Sequence, residues 1–226
     1  YNLNNSKFFA GHSLGEYTAL VCSGSLTLER AAYLLRERGM AMQASVPEDT
    51  GAMTAVIGMS LAEVEKEISL LPKNEVCEVA NDNSNTQVVV SGTKLANEIL
   101  NKNLKLKKKR GIALPVSAPF HCSLMQGALE KMKDKITSSV FTKPKPSIIS
   151  NVTATDQNEP NMIKKLLVDQ IVSKVRWRES VDFMIKNGVT EILEIGPGKV
   201  LSGLVKKIDK NIKVKNINSL DDLTDD

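Results

Sequence analysis

Cysteine and histidine are both scarce in this chain, and their scarcity argues against several classes of function. Among 226 residues there are three cysteines, Cys22, Cys77 and Cys122, and two histidines, His12 and His121. The thiols are scattered and odd in number, with no CxxC pair. That pattern speaks against a disulfide framework and for a reducing compartment, read here as the cytoplasm. It also leaves too few ligands for a structural zinc site, so no metal is expected. Aromatic residues make up 4% of the chain, so the core must rest on Leu, Ile, Val, Ala and Met. Apolar runs are strand-sized and far from the ~20 residues that span a bilayer, so no membrane role is expected. A formal net charge of +4 does not by itself indicate nucleic acid. The basic run from Lys102 to Arg110 also lacks the aromatic interleaving of single-strand binders. No internal repeat or low-complexity segment is present.

What is there reads as one α/β core carrying an insert. Lys7–Ala10 (KFFA) is a short buried strand, Gly11–Gly15 a tight turn, and Glu16–Ser23 a helix. Thr27 caps a second helix over Leu28–Ser45, with Arg30 at the position where a capping box needs an acid. After the break at Pro47–Gly51 the pattern changes. Strands are predicted at 52–57, 76–80, 87–91 and 110–116, with the polar run NDNSNT joining the middle two. Helices capped by Ser60 and Thr93 lie between them. The order βαββαβ is that of a ferredoxin-like unit, placed at residues 49–116. The core, residues 1–48 and 117–226, then resumes. Helices are predicted at 121–138, 163–175, 177–187 and 200–208, and strands at 147–151, 189–195 and 214–217. The acidic stretch Asp221–Asp226 reads as a frayed end.

The sharpest chemical signal is Gly11-His12-Ser13-Leu14-Gly15, a G-x-S-x-G run between a strand and a helix. Such an elbow lifts the serine hydroxyl into the open, and the flanking glycines avoid collisions with the adjoining strand and helix. The helix N-terminus behind Ser13 favours negative charge, and the Leu14 N–H is a natural oxyanion donor. The competing reading is a coincidental glycine turn. A serine nucleophile needs a base. On a tight turn the side chain of His12 diverges from that of Ser13, so elimination favours His121, in Ser117-Ala118-Pro119-Phe120-His121-Cys122. A lone histidine is also commonly structural. No carboxylate stands out as a third member, so a backbone carbonyl is a candidate for orienting His121. Arg38 shares an otherwise apolar helix face with Leu34, Leu35 and Met42. A guanidinium there needs a partner, either an ordinary glutamate or a bound carboxylate held by its fork. Glu194–Lys199 (EIGPGK) has the flavour of a phosphate loop but lacks the defining spacings, and reads better as a structural turn. The basic run, with Lys206, Lys207 and Lys210, is either a solvated face or a surface for an acidic protein or coenzyme A phosphates.

Together these segments resemble the malonyl-CoA:acyl-carrier-protein transacylases. The resemblance is carried by GHSLGEYTALVCSGSL, RGMAMQ, NDNSNTQVVVSG, VSAPFHCSLM, SNVTA, LVDQIVSKVRW and EILEIGPGKVLSGL, in the family's order and over nearly the whole chain. It implies a hydrolase-like parallel-sheet core with a ferredoxin-like insert. It also implies a two-step transfer of malonyl from malonyl-CoA to the pantetheine thiol of acyl carrier protein, without a cofactor, by a monomer. In that reading Ser13 carries the acyl group, His121 is the base, and Leu14 supplies an oxyanion N–H. Arg38 takes the malonyl carboxylate. The carbonyl of Gln170, at the matching position, holds the histidine. Asn83, His12, Met42 and Phe120 complete the substrate-binding set, with Phe120 resembling family members that prefer malonyl to methylmalonyl. The chain opens on Tyr1 and enters the elbow within a few residues. The family's preceding strand and glutamine-bearing glycine loop are therefore expected to be missing, along with a second oxyanion donor.

Three other functions compete. A serine esterase or thioesterase would use the same pair, but its order is Ser, acid, His, and it gives Arg38 no duty. A polyketide-pathway acyltransferase would look much alike. A non-catalytic binder of carrier proteins would use the basic run but would need neither Ser13 nor His121.

Overall fold

The computed structural model describes residues 5–116 and 118–223. Over these it is a mixed α/β structure with eight α-helices and nine strands in three sheets. Strand β1 (Phe9–Ala10) leads into α1 (Gly15–Cys22) and α2 (Leu28–Gln43). The segment read as an insert follows as β2 (Gly51–Ile57), α3 (Leu61–Ser69), β3 (Cys77–Ser84), β4 (Gln87–Thr93), α4 (Lys94–Leu106) and β5 (Arg110–Ala113). The chain continues through α5 (Gln126–Thr137), β6 (Ile148–Ile149), β7 (Asp156–Gln157) and α6 (Pro160–Asp169). It then runs through α7 (Trp177–Lys186), β8 (Glu191–Ile195), α8 (Val200–Ile208) and β9 (Lys213–Ile217).

The central pair is β1 with β6, parallel, in the register Phe9↔Ile148 and Ala10↔Ile149. Successive side chains on a strand point to opposite faces, so this short pair feeds two cores. Phe9 and Ile148 pack with α1, α2, α5 and α6 around Leu20, Leu34, Met132 and Leu167. Phe8, Ala10 and Ile149 pack on the other side with Trp177, Val181, Leu204 and Val205 from α7 and α8. Helices on both faces are what a buried parallel pair requires. β8 and β9 form a second parallel pair, and β7 is antiparallel to β6.

The insert's sheet runs β3-β4-β2-β5 and is antiparallel throughout. The same alternation sorts its valines. Val56, Val88 and Val90 face Leu100 and Leu104 of α4, whereas Met53, Ala55 and Val89 face Phe120 and Val116. Its helices start where the side chains can satisfy free N–H groups. Ser60 and Glu63 form a reciprocal capping box, and the Thr93 hydroxyl accepts from Ala96 N.

Several expectations need correction. The run Asn81–Ser84 is strand rather than loop, and β3 turns into β4 across two residues. Tertiary contacts override its polar composition. Asn81 bridges Val175 in parallel, Asp82 N–H donates to Val175 O at 2.9 Å, and the buried Asp82 carboxylate takes the Arg178 guanidinium at 2.8 Å. His121 precedes its helix by a short 3-10 turn, Ser123–Met125, instead of starting it. α6 begins at Pro160, whose fixed φ suits a first helical turn, and ends at Asp169, leaving Gln170 at the cap. Residues 220–223 form a 3-10 turn. Ser117 and the end of the acidic stretch, residues 224–226, lie outside the described residues.

The two elbow glycines differ in what they do. An added Cβ at Gly11 would stand 1.9 Å from the Gly15 carbonyl oxygen, whereas one at Gly15 would meet nothing within 4 Å. Only Gly11 is there to avoid a collision, contrary to the expectation for both. Gly11→Ala is therefore expected to lower stability by more than about 2 kcal/mol, through backbone displacement. Gly15→Ala, inside a helix, should be neutral or stabilising by up to about 1 kcal/mol. Urea unfolding of both variants checks the contrast.

Candidate active site

Parallel strands deliver their C-terminal ends to the same edge, so the turn after β1 and the loop after β6 emerge side by side. Asn151, two residues past β6, locks the two together. Its Oδ1 accepts from Ser13 N–H at 2.7 Å and its Nδ2 donates to Gly11 O at 2.7 Å. Ser13 is held at φ 55°, and His121 at φ 60°. Each left-handed non-glycine residue costs about 1–2 kcal/mol. Such strain persists only where the surroundings impose it, and it gathers at functional sites.

The imposed geometry brings the two side chains together. Ser13 Oγ lies 2.7 Å from His121 Nε2, and His121 Nδ1 lies 2.9 Å from the Gln170 carbonyl oxygen. A carbonyl only accepts, so Nδ1 carries the proton and Nε2 is left as an acceptor for the Ser13 hydroxyl. The third element of the expected set is thus a backbone group, and Gln170 supplies it from the end of α6. Burial, and then the charge of Arg38, push the His121 pKa down to about 3, against the pull of the Gln170 carbonyl. The ring is a neutral base at physiological pH.

Arg38 is buried on α2, and its Nη2 donates to Ser13 Oγ at 3.0 Å and to Gln170 Oε1 at 3.1 Å. Its Nε–H is buried with no hydrogen-bond partner, as is the hydroxyl of Tyr17. Burial pushes the Tyr17 hydroxyl up to about 12. Leu14 is exposed at the N-cap of α1, where helix N–H groups have no partner within the helix.

His12 diverges from Ser13. Its Nε2 donates to Asn83 Oδ1 at 2.8 Å, its ring tilts against Trp177, and burial lowers its pKa. Asn83, at the end of β3, reaches the site because the Asn81–Val175 bridge ties the insert to the chain after α6. Phe120 packs between the helical core and the insert's inner face. Met42 is buried in the helical core, one turn beyond Arg38. Two site residues went unread in the sequence. Asn151 had a signal, a polar residue closing the predicted strand 147–151 within SNVTA. Glu16 reads in the sequence only as the start of a helix; it is buried, with its pKa pushed up to about 7 by desolvation. No group of three or more His, Cys, Asp or Glu side chains able to hold a metal occurs among the described residues. No helix among them is long and apolar enough to cross a membrane.

Fold and site together define an α/β protein with a serine–histidine pair on a strained strand–turn–helix elbow. The chain belongs to the acyl transferase domain family, whose model matches residues 4–221. It is 43% identical to the malonyl CoA-acyl carrier protein transacylase of Bacillus subtilis (strain 168), over 91% of this chain and 66% of that protein. It is 40% identical to the protein of the same name from Escherichia coli (strain K12), over 92% of this chain and 68% of that one. The chain thus spans about two thirds of the length of these relatives. Among solved structures it is similar to an acyl-carrier-protein-S-malonyltransferase from Bartonella henselae. The TM-score is 0.94 at 41% identity, covering 98% of this chain and 71% of that one. It is also similar to a malonyl-transacylase in complex with its type II PKS acyl-carrier protein. There the TM-score is 0.93 at 37% identity, covering 96% of this chain and 71% of that one.

The buried His121 ring should be silent over a range where an exposed histidine titrates. NMR of its imidazole C–H resonances is expected to show no protonation between pH 8 and pH 5; a transition near 6.5 would show a wet pocket. The linkage has a definite sign. The folded-state pKa of His121 lies below its unfolded value of 6.5, so its contribution to stability is present above pH 6.5 and is lost as pH falls toward about 3.

Proposed function

We propose that this chain carries the acyl-transfer site of a malonyl-CoA:acyl-carrier-protein transacylase, acting in two steps through a malonyl ester on Ser13. The observation that carries the reading is the convergence on one oxygen: His121 Nε2 at 2.7 Å and Arg38 Nη2 at 3.0 Å from Ser13 Oγ. An esterase needs the first contact but has no use for the second.

In the first step Ser13 Oγ attacks the malonyl thioester carbonyl as its proton passes to His121 Nε2. The Leu14 N–H receives the oxyanion that forms. Collapse breaks the C–S bond, the His121 proton goes to the coenzyme A sulfur, and malonyl remains as an ester on Ser13. In the second step His121 takes the proton of the carrier protein's pantetheine thiol, and the sulfur attacks the ester. Ser13 Oγ then leaves and regains its proton from His121. Throughout, the Gln170 carbonyl holds the His121 tautomer and stabilises the transient imidazolium. Arg38, with its unpartnered buried Nε–H, offers a fork for the free malonyl carboxylate. Asn83, His12, Phe120 and Met42 shape and support the pocket walls. The fold reading belongs with this proposal. The four-stranded order β3-β4-β2-β5 supports a ferredoxin-like insert at 49–116, and the parallel β1–β6 and β8–β9 pairs support a hydrolase-like core at 1–48 and 117–226.

Intact-mass spectrometry after brief exposure to malonyl-CoA tests the reading. A malonyl adduct is expected on the chain, absent in Ser13→Ala, and transferred on addition of acyl carrier protein. An adduct lost to water at the same rate with or without carrier protein would identify a hydrolase. Comparing carrier proteins of fatty acid and type II polyketide systems as acceptors separates the two pathways. Arg38→Ala is expected to shift selectivity from malonyl toward acetyl thioesters by roughly 10²-fold, the range for a charge-assisted contact of about 1.5–3 kcal/mol. Unchanged selectivity in that variant would remove the proposed role of Arg38.

A further inference from the structure

One buried carboxylate takes no part in the two-step transfer. Glu16, in the first turn of α1, is 1% exposed, and its Oε2 accepts from Asn151 N–H at 3.0 Å and from Gln170 Nε2 at 2.8 Å. Gln170 Nε2 also lies 3.2 Å from Ser13 O and 3.3 Å from Asn151 Oδ1, and Gln170 Oε1 accepts from Arg38 Nη2 at 3.1 Å. The side-chain amide of Gln170 therefore stands between the Glu16 carboxyl group and the Arg38 guanidinium. Donor and acceptor logic leaves it a single orientation. A carboxylate and two carbonyl oxygens can only accept, and a guanidinium can only donate. The shortest of the contacts on the NH₂ side is the one to Glu16. A reversed amide would turn its NH₂ toward the Arg38 donors and leave a buried oxygen facing a carboxylate, at the full cost of unpaired buried polar groups.

We propose that Glu16 is a positioning residue: through the Gln170 amide its carboxylate holds the Arg38 guanidinium on Ser13 Oγ, and so sets the preference for an acyl group that ends in a carboxylate. The inference rests on the acyl-transfer reading above. It gives α1 two duties, to carry the nucleophile at its start and to hold, from its first turn, the residue that aims the specificity cation. Asn151 closes the same circuit, since its backbone donates to Glu16 while its side chain accepts from Ser13 N–H.

The test is competition between malonyl-CoA and acetyl-CoA at equal concentration, read as the ratio of the two esters on Ser13 by intact mass. Glu16→Leu, of similar volume, is expected to lower the malonyl:acetyl ratio roughly tenfold, about 1.4 kcal/mol. Glu16→Gln keeps an oxygen that can accept both hydrogen bonds and should stay within about threefold of the parent chain. Gln170→Leu should lower the ratio as Glu16→Leu does, and the double variant should fall no further, because the two act through one linkage. If thermal melting shows Glu16→Leu unfolded, Glu16→Asp replaces it. That variant draws the carboxylate back by one methylene and should move the ratio in the same direction. A folded Glu16→Leu or Glu16→Asp chain with an unchanged ratio overturns the inference, as do single effects that multiply in the double variant. Absence of any malonyl ester on the parent chain would instead overturn the acyl-transfer reading and this inference with it.

Discussion

The strands Phe9–Ala10 and Ile148–Ile149 lie side by side and parallel, and the arrangement of the site follows from that pairing. Because the strands run the same way, the turn carrying Ser13 and the loop carrying Asn151 leave the sheet at one edge. Asn151 then bonds to both ends of the turn, to Gly11 O and to Ser13 N–H. That bracing lets Ser13 keep a left-handed backbone that would relax if left alone. Gly11 completes the constraint, since its missing Cβ makes room for the Gly15 carbonyl as the chain folds back into α1. A two-residue pairing suffices because both of its faces are covered by helices, which exclude water from the ladder.

Gln170 is the second organising residue, and it works at two levels. Its backbone carbonyl, freed by the end of α6, orients His121. Its side chain links Arg38 to Glu16. The site thus needs no third acid beside the histidine. A carboxylate at Nδ1 would raise the basicity of a ring that burial and Arg38 otherwise hold neutral. A neutral carbonyl fixes the tautomer without adding a charge next to the guanidinium. The buried Glu16 carboxyl group lies instead on the far side of the amide, where it accepts from Gln170 Nε2 without competing for the Ser13 oxygen.

The segment between α2 and Phe120 is joined to the rest by specific polar contacts as well as by the apolar packing of Met53, Ala55 and Val89 on Phe120. The Asn81–Val175 bridge and the Asp82–Arg178 pair fasten β3 to the start of α7, and they place Asn83 against His12. Phe120 fills the remaining junction, directly before His121 in the chain. β3 is therefore registered to the chain before α7 through backbone hydrogen bonds, which tolerate little sliding.

Local patterns in the sequence pointed to most of the elements and to the Ser13–His121 pairing seen in the structure. The strand pattern of Ala52–Ile57, the caps at Thr27, Ser60 and Thr93 and the G-x-S-x-G elbow are properties of a few adjacent residues, and short-range physics decides them. Elimination pointed to His121 for the same reason, because adjacent side chains on a tight turn diverge. Only the tertiary structure decided that Asn81–Ser84 is strand, since its partner at Val175 is more than ninety residues away and its polar side chains are satisfied from another element. The same holds for the collision at Gly11 but not at Gly15, for the orientation of the Gln170 amide, and for the burial of Glu16. A first-turn glutamate is ordinarily solvated, and nothing nearby in the sequence marks this one as different. Its environment is built by Asn151 and Gln170, brought in from β6 and α6. A donor–acceptor network of this kind is a property of distances between elements, which composition and periodicity do not contain.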